Sequence, residues 1–283
     1  MNKRIVVGIG EALWDMLPSG KQIGGAPINF AYHVARLGLD SVAISAVGDD
    51  SLGIELVSGL KNKGMNIVMP AIHFPTGTVL VKVNGNGIPS YDICENVAWD
   101  NIPFTSALKD LAAQSKAVCF GSLAKRSETS RDTIRKFIGA VPEDCLKIFD
   151  INLRQHYYSD SVILNSLASC NILKLNDEEL PIIAKILSNN EAPFELCRKT
   201  VKEYGLKYLI LTCGAEGSHI FSPNGESHLP TPSVKVVDTV GAGDSFTAAF
   251  VASILNGLDF KDAHKKAVEV SAYVCTQPGA TPK

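Results

Sequence analysis

The residues best placed to do chemistry lie near the C-terminus. There Asp238-Thr239-Val240-Gly241-Ala242-Gly243-Asp244 runs into the apolar stretch Ser245-Phe246-Thr247-Ala248-Ala249-Phe250-Val251-Ala252. A glycine-rich turn that opens a helix forms an anion site, because the first backbone N–H groups of a helix lack internal partners and point outward together. The helix dipole adds partial positive charge at the same place. Asp244 does not suit a turn that only binds, since its carboxylate would repel the phosphate that the amides attract. It does suit phosphoryl transfer, where a carboxylate takes the proton of an attacking hydroxyl while amides hold the developing charge. The bland alternative is an ordinary helix start with a first-turn acid favoured by the dipole.

A second cluster is Gly24-Gly25-Ala26-Pro27-Ile28-Asn29-Phe30-Ala31, with Asp15 upstream. Gly24 and Gly25 let a ligand approach the backbone closely. Pro27 suits a first helical turn, and Asn29 offers both donor and acceptor. One carboxylate, one amide and exposed N–H groups suit a neutral polyol, whose hydroxyls need acceptors as well as donors. Taken alone, the cluster reads at least as well as a tight turn with an Asn near a helix start.

The surrounding elements alternate. Short apolar runs predict strands at Arg4–Ile9, Ser41–Ala46, Lys116–Phe120, Leu146–Asp150, Asn171–Leu175 and Lys207–Thr212. Between them, helices are predicted at Pro27–Leu37, Ser51–Lys63, Glu128–Gly139, Asp160–Ala168, Glu178–Ser188, Pro193–Tyr204, Asp244–Asn256 and Phe260–Thr276. Such alternation predicts a three-layer α/β/α fold with a mostly parallel central sheet. Ligands of such sheets bind beyond the carboxyl ends of the strands. Glu11, Asp15, Ser122, Asn152, Arg154 and Asn176 fall there. One region breaks the rhythm: Thr76–Val83 and Pro89–Cys94 alternate apolar and polar residues around Asn84-Gly85-Asn86-Gly87, a hairpin signature. With Leu13–Ile23 it forms an expected small β appendage, a lid or a dimer surface. The chain reads as one domain, 1–283, with the lid drawn from parts of 11–25 and 70–100.

Composition narrows the classes. The 283 residues are 46% hydrophobic with a formal net charge of -2, which gives no electrostatic case for nucleic acid or an anionic membrane. The start, Met1 to Gly8, is too short in apolar residues for a signal segment, and no run approaches the ~18 of a membrane span. A cytoplasmic protein is expected. Seven cysteines stand singly without Cys-x-x-Cys spacing, so zinc lacks support and buried reduced thiols are expected. The chain stops at Lys283 soon after Gly279-Ala280-Thr281-Pro282, so a few further terminal residues are expected.

At this point the chain resembles the ribokinase-like, or phosphofructokinase-B, carbohydrate kinases over essentially its whole length. The resemblance rests on Gly24–Ala31, continued by Leu37-Gly38 and Gly48-Asp49-Asp50, and on Asp238–Asp244. Between them, in family order, stand Asp150-Ile151-Asn152-Leu153-Arg154, Asn176-Asp177-Glu178-Glu179 and Thr212-Cys213-Gly214-Ala215-Glu216-Gly217. Gly10-Glu11-Ala12-Leu13-Trp14-Asp15, Gly121-Ser122-Leu123-Ala124 with Arg126, and Gln155-His156-Tyr157 make it most similar to bacterial fructokinases.

The resemblance implies roles. Asp244 would be the general base, with the amides of Gly241, Ala242 and Gly243 as the anion hole. Asp15, Gly24, Gly25 and Asn29 would hold the sugar, and Arg154 would either clamp a phosphate or support a loop. Thr212, Gly214, Gly217 and Gly243 would line the nucleotide phosphates, and Val274–Gly279 would flank adenine. Asn176 and Glu179 occupy the family's Asn-x-x-Glu positions, which help place hydrated magnesium. Asp238, Val240 and Gly279 stand near positions where some relatives bind a monovalent cation such as potassium through carbonyl oxygens. The implied cofactors are therefore ATP and Mg2+, with K+ open.

Rival readings have less support. Gly8-Ile9-Gly10 is followed by Leu13 where a dinucleotide fingerprint needs glycine. No Gly-x-x-x-x-Gly-Lys or Gly-x-Ser-x-Gly occurs. A sugar-binding regulator could discard the base and anion hole, but both are present. The expectation is therefore a magnesium- and ATP-dependent sugar kinase, fructose being the first choice of substrate. Ribose, a nucleoside such as adenosine, a 2-keto-3-deoxygluconate-like acid and a phosphorylated sugar remain alternatives. A homodimer through the β lid is also expected.

Overall fold

The apolar runs sort their side chains into two layers. In the strand Ile5–Ile9, Val7 and Ile9 join one buried cluster and Val6 the other; Val118 and Phe120 face one way, Ala117 and Cys119 the opposite. This period of two, with both faces covered, is why the strands read as unbroken hydrophobic stretches. The computed structural model describes residues 5–18, 20–83 and 89–282.

Nine described strands form one sheet. Its order is Gly225–Leu229, Ser218–Ser222, Tyr208–Thr212, Ile172–Asn176, Leu146–Asp150, Ser115–Phe120, Ile5–Ile9, Ser41–Ile44 and Asn66–Val68. Pairing is parallel from Tyr208–Thr212 through Asn66–Val68. The hairpin Ser218–Leu229 adds an antiparallel edge absent from the sequence reading. Helices Ala26–Arg36, Ala242–Leu255 and Phe260–Cys275 supply Phe30, Phe246, Phe250 and Ala267 to one face. Helices Glu128–Ala140, Asp160–Leu167 and Pro193–Glu203 supply Phe137, Ile163 and Leu196 to the other. The expected three layers are present.

Helix Ala242–Leu255 lies deep in the molecule. Ser245 through Ser253 are all buried, which explains why its sequence is apolar all round and small. It packs against both Ala26–Arg36 and Phe260–Cys275, so the two glycine-rich turns are carried by touching helices.

A second sheet runs Gly20–Gly24, Leu13–Leu17, Gly77–Val83, Pro89–Ile93. The predicted hairpin pairs antiparallel, and Leu13–Leu17 joins it in parallel. The Asn84-Gly85-Asn86-Gly87 turn lies outside the described residues. Trp14 ties this sheet to the helix Ser51–Asn62 through an indole N–H bond of 3.0 Å to the Leu52 carbonyl.

One helix departs from its predicted span. Glu178–Ser188 is helical only over Leu180–Ile186, because Glu179 spends its carboxylate on the backbone at the strand end instead of in a first turn. Among the described residues, no helix is long and apolar enough to cross a membrane. Cys119, Cys145, Cys170 and Cys197 are buried free thiols; Cys94, Cys213 and Cys275 are half-buried.

Candidate active site

Asn29 Nδ2 donates to Asp244 Oδ2 at 2.8 Å. The bond joins the two glycine-rich motifs. Asn29 is one turn into its helix, where its N–H bonds the Gly25 carbonyl at 3.0 Å. Asp244 stands in the first turn of Ala242–Leu255, after Gly241 in the left-handed region at φ 77°. A β-carbon on Gly241 would lie 2.7 Å from Cα of Ala280, so the turn is pinned against the C-terminal segment.

Asp244 keeps partial exposure. Burial of its carboxyl, with the nearby Asp150 charge, raises its pKa to about 6; the Asn29 bond, Lys174 and Arg154 oppose the rise. It therefore ionises near neutrality, in the range a general base requires.

Asp15 sits in Leu13–Leu17 opposite Gln22, and a β-carbon on Gly24 would collide with its Oδ2. Gly24 is thus small to make room for this carboxylate. Burial raises the Asp15 pKa while Arg154 opposes it. Arg154 is exposed and lies on a loop where Asn152 and Gln155 both adopt positive φ, at 44° and 48°. Its guanidinium donates to the Leu153 carbonyl at 3.0 Å. Its charge opposes the raised pKa of Glu11, Asp15 and Asp244 alike.

Asn176 and Glu179 form a reciprocal pair. Glu179 N–H donates to Asn176 Oδ1 and Asn176 N–H to Glu179 Oε2, both at 2.8 Å. Glu179 Oε1 accepts from Leu153 N–H at 2.8 Å, so this carboxylate fastens the Arg154 loop to the strand end. Among the described residues, no group of three or more His, Cys, Asp or Glu could hold a metal ion.

Thr212 ends its strand. Gly214 at φ 50° and Gly217 at φ 110° close the following turn, with the Cys213 N–H on the Gly217 carbonyl at 2.8 Å. Asp238 acts as a latch: Oδ1 accepts from Val240 N–H and Oδ2 from Gly279 N–H, each at 3.0 Å. The three positions suggested for a monovalent cation are thereby brought together. The Ala242 N–H, expected in the anion hole, closes the turn onto the Thr239 carbonyl at 3.2 Å.

Sequence reasoning missed Lys174. Its ammonium is 3.1 Å from Asp150 Oδ1, with side-chain exposures of 8% and 6%, and lies 3.0 Å from where a β-carbon on Gly243 would stand. Burial works to lower its pKa, but Asp150, Glu179 and Asp244 outweigh it and raise the group. The available signal was a lysine inside a strand covered on both faces, where a charge is seldom buried unless paired. Ser122 is fully buried instead of open to a ligand.

The profile of the pfkB family carbohydrate kinases matches residues 19–283. The chain belongs to this family. It is a sugar kinase, a phosphotransferase. An uncharacterized sugar kinase of Pyrococcus horikoshii is 29% identical over 98% of this chain and 91% of its own. Its crystal structure superposes with a TM-score of 0.84 over 98% of this chain and 93% of that one; a complex with ATP gives 0.81 over 98% and 94%. The fructokinase of Escherichia coli is 31% identical over 88% of this chain and 83% of its own. An ATP-dependent 6-phosphofructokinase of Thermoanaerobacterium thermosaccharolyticum is 28% identical over 97% and 89%.

Proposed function

We propose that this sugar kinase transfers the γ-phosphoryl group of ATP to a primary hydroxyl of a free sugar, with D-fructose as first candidate. The observation that carries the reading is the Asn29–Asp244 hydrogen bond, which sets a carboxylate of raised pKa beside the Gly24-Gly25 turn. Asp15, Gly24, Gly25 and Asn29 hold the sugar. Asn29 occupies Asp244 Oδ2, so the hydroxyl proton goes to Oδ1 as the sugar oxygen forms its bond to phosphorus and ADP leaves. The N–H groups of Gly241 and Gly243 receive the developing charge, that of Ala242 being turned onto Thr239. Thr212, Gly214 and Gly217 line the nucleotide, as does Gly243.

Asn176 and Glu179 would help place hydrated magnesium, which would supply positive charge to the phosphates. Asp238, Val240 and Gly279 form the potassium position. The domain is single, and the smaller sheet is its lid, excluding water that would compete as acceptor. The same sheet is the homodimer surface. A cytoplasmic location is in keeping with this chemistry.

Names among the relatives divide the substrate question: fructose, a phosphorylated fructose and a 5-dehydro-2-deoxygluconate. The unphosphorylated sugar is favoured because a phosphorylated one would want several cations around the smaller sheet: Lys82 is the only obvious one of the hairpin, and Lys21 is committed to Glu55 at 2.6 Å and lies over the Trp14 ring. The test is coupled ADP release across sugars, sugar phosphates and nucleosides with Mg-ATP, with and without potassium. Sugar-dependent release greatest for fructose supports the reading. ATP consumption indifferent to every sugar and nucleoside removes it and favours a sugar-binding regulator.

A further inference from the structure

We propose that Glu11 is a positioning residue. It grips the start of helix Ala26–Arg36 and so sets both the Gly24-Gly25 turn and the Asn29 amide that reaches Asp244. The inference rests on the sugar-site reading above and adds to it a residue outside the assigned set.

The helix needs such a grip because it has none of its own. Its N-cap is Gly25, which carries no side chain, and its first turn has no acidic residue. Pro27 has no N–H to offer. The Ala26 N–H instead donates to Glu11 Oε1 at 3.3 Å, a partner 15 positions upstream. The main chain of Glu11 presses from the same side. Gly25 has φ 120°, and a β-carbon there would collide with the Glu11 carbonyl oxygen. Side chain and backbone of one residue therefore hold two successive residues of the turn. From Gly25 the constraint passes to Asn29 through the 3.0 Å backbone bond, and from Asn29 to Asp244 at 2.8 Å. The nucleotide-side turn at Thr212–Gly217 is built from other elements and is not on this path.

The second oxygen of Glu11 distinguishes a cap that acts by hydrogen bonding from one that acts by charge. Glu11 is 2% exposed, and its Oε2 is buried without a hydrogen-bond partner. Burial raises the group to about 7, the Arg154 charge opposing and Asp244 adding; the Cys119 thiol is also within its field. A naked ionised oxygen in such surroundings is costly, and a proton on Oε2 removes that cost while Oε1 still accepts from Ala26. Glutamine mimics this protonated form, with the acceptor kept and the charge gone.

The test is steady-state kinetics of Glu11→Ala, Glu11→Gln and Glu11→Asp with whichever sugar the wild type phosphorylates, varying sugar and ATP separately. Losing the cap leaves a part-buried amide unpaired, so Glu11→Ala is expected to raise sugar KM about tenfold and lower kcat, with ATP KM within about twofold. Glu11→Gln should return sugar KM toward wild type. Glu11→Asp keeps the charge but is one methylene short, and should resemble Glu11→Ala. Unchanged sugar KM and kcat in Glu11→Ala would overturn the inference, as would equal rises in sugar and ATP KM. If the alanine variant does not fold, the glutamine–aspartate pair decides: aspartate better than glutamine assigns the role to charge and overturns the proposal. A wild type that phosphorylates no sugar overturns the site reading and this inference with it; an active wild type with a normal alanine variant overturns this inference alone.

Discussion

Lys174 holds Asp150 at 3.1 Å beside Gly243, so that one buried ammonium offsets the carboxylates of Asp150, Glu179 and Asp244. Removing one partner of a buried pair leaves an uncompensated charge and typically costs ~3–5 kcal/mol, whereas replacing both by neutral groups of similar size is far milder. Lys174→Met should therefore destabilise strongly, and Lys174→Met with Asp150→Asn should recover most of the loss. Denaturant unfolding of the two single variants and the double variant measures this. Single-variant effects that simply add in the double variant would show that the two charges do not act as a pair.

Asp244→Asn should separate stability from turnover. The folded pKa of Asp244 is raised from 3.8 to about 6, so the native state holds this proton more tightly than the unfolded chain. The ionised carboxylate thus costs stability in full above pH 6, and the cost fades as pH falls toward 3.8 and below. Asp244→Asn should be more stable than wild type by ~1–3 kcal/mol at pH 8, with the advantage gone below pH 4. Its kcat should fall by ~10²–10⁴. An asparagine variant less stable than wild type at pH 8 would contradict the strain assigned to this carboxylate.

The same group sets a pH profile. Sugar kcat/KM should fall on the acidic side with a midpoint near 6, as Asp244 takes up its proton. Arg154 lowers the pKa of Glu11, Asp15 and Asp244 alike, so Arg154→Gln should move that limb to higher pH. A limb that stays in place or moves down would mean that the rate follows another group.

What the sequence disclosed tracks how strongly each element is patterned. Leu146–Asp150 was read with its final bounds because an apolar strand covered on both faces has no competing interpretation. The edge hairpin went unread: Ser218–Ser222 and Gly225–Leu229 carry Ser and His residues and lack a continuous apolar run. Helix Ser106–Ala113 is short, and only Leu108 and Ala112 are buried, too few to set a period. At the site, Asp15, Asn29 and Asp244 were legible because their residue types declare chemistry at a turn. Lys174 and Glu11 were not assigned roles, since those depend on partners met only after folding: Gly243 for one, the Ala26 amide for the other.

Gly241 offers a controlled test of how the base-bearing turn is held. Asp238 fastens Gly279 at 3.0 Å, and His33 Nε2 bonds the Ala280 carbonyl at 2.8 Å, so the C-terminal segment is fixed where Gly241 meets it. Gly241→Ala must bear a left-handed backbone at φ 77° and also push against Ala280. Gly257 has φ 89° and nothing within 4 Å of its would-be β-carbon, so Gly257→Ala carries the backbone penalty alone, about 1 kcal/mol. Gly241→Ala should therefore lower the Tm several degrees further than Gly257→Ala, and it should lower kcat, because any shift of the turn moves Asp244. Thermal melts and kinetics of the two variants side by side would decide it. Equal melting points with unimpaired turnover in both would mean that the C-terminal segment yields freely and does not set the position of the base.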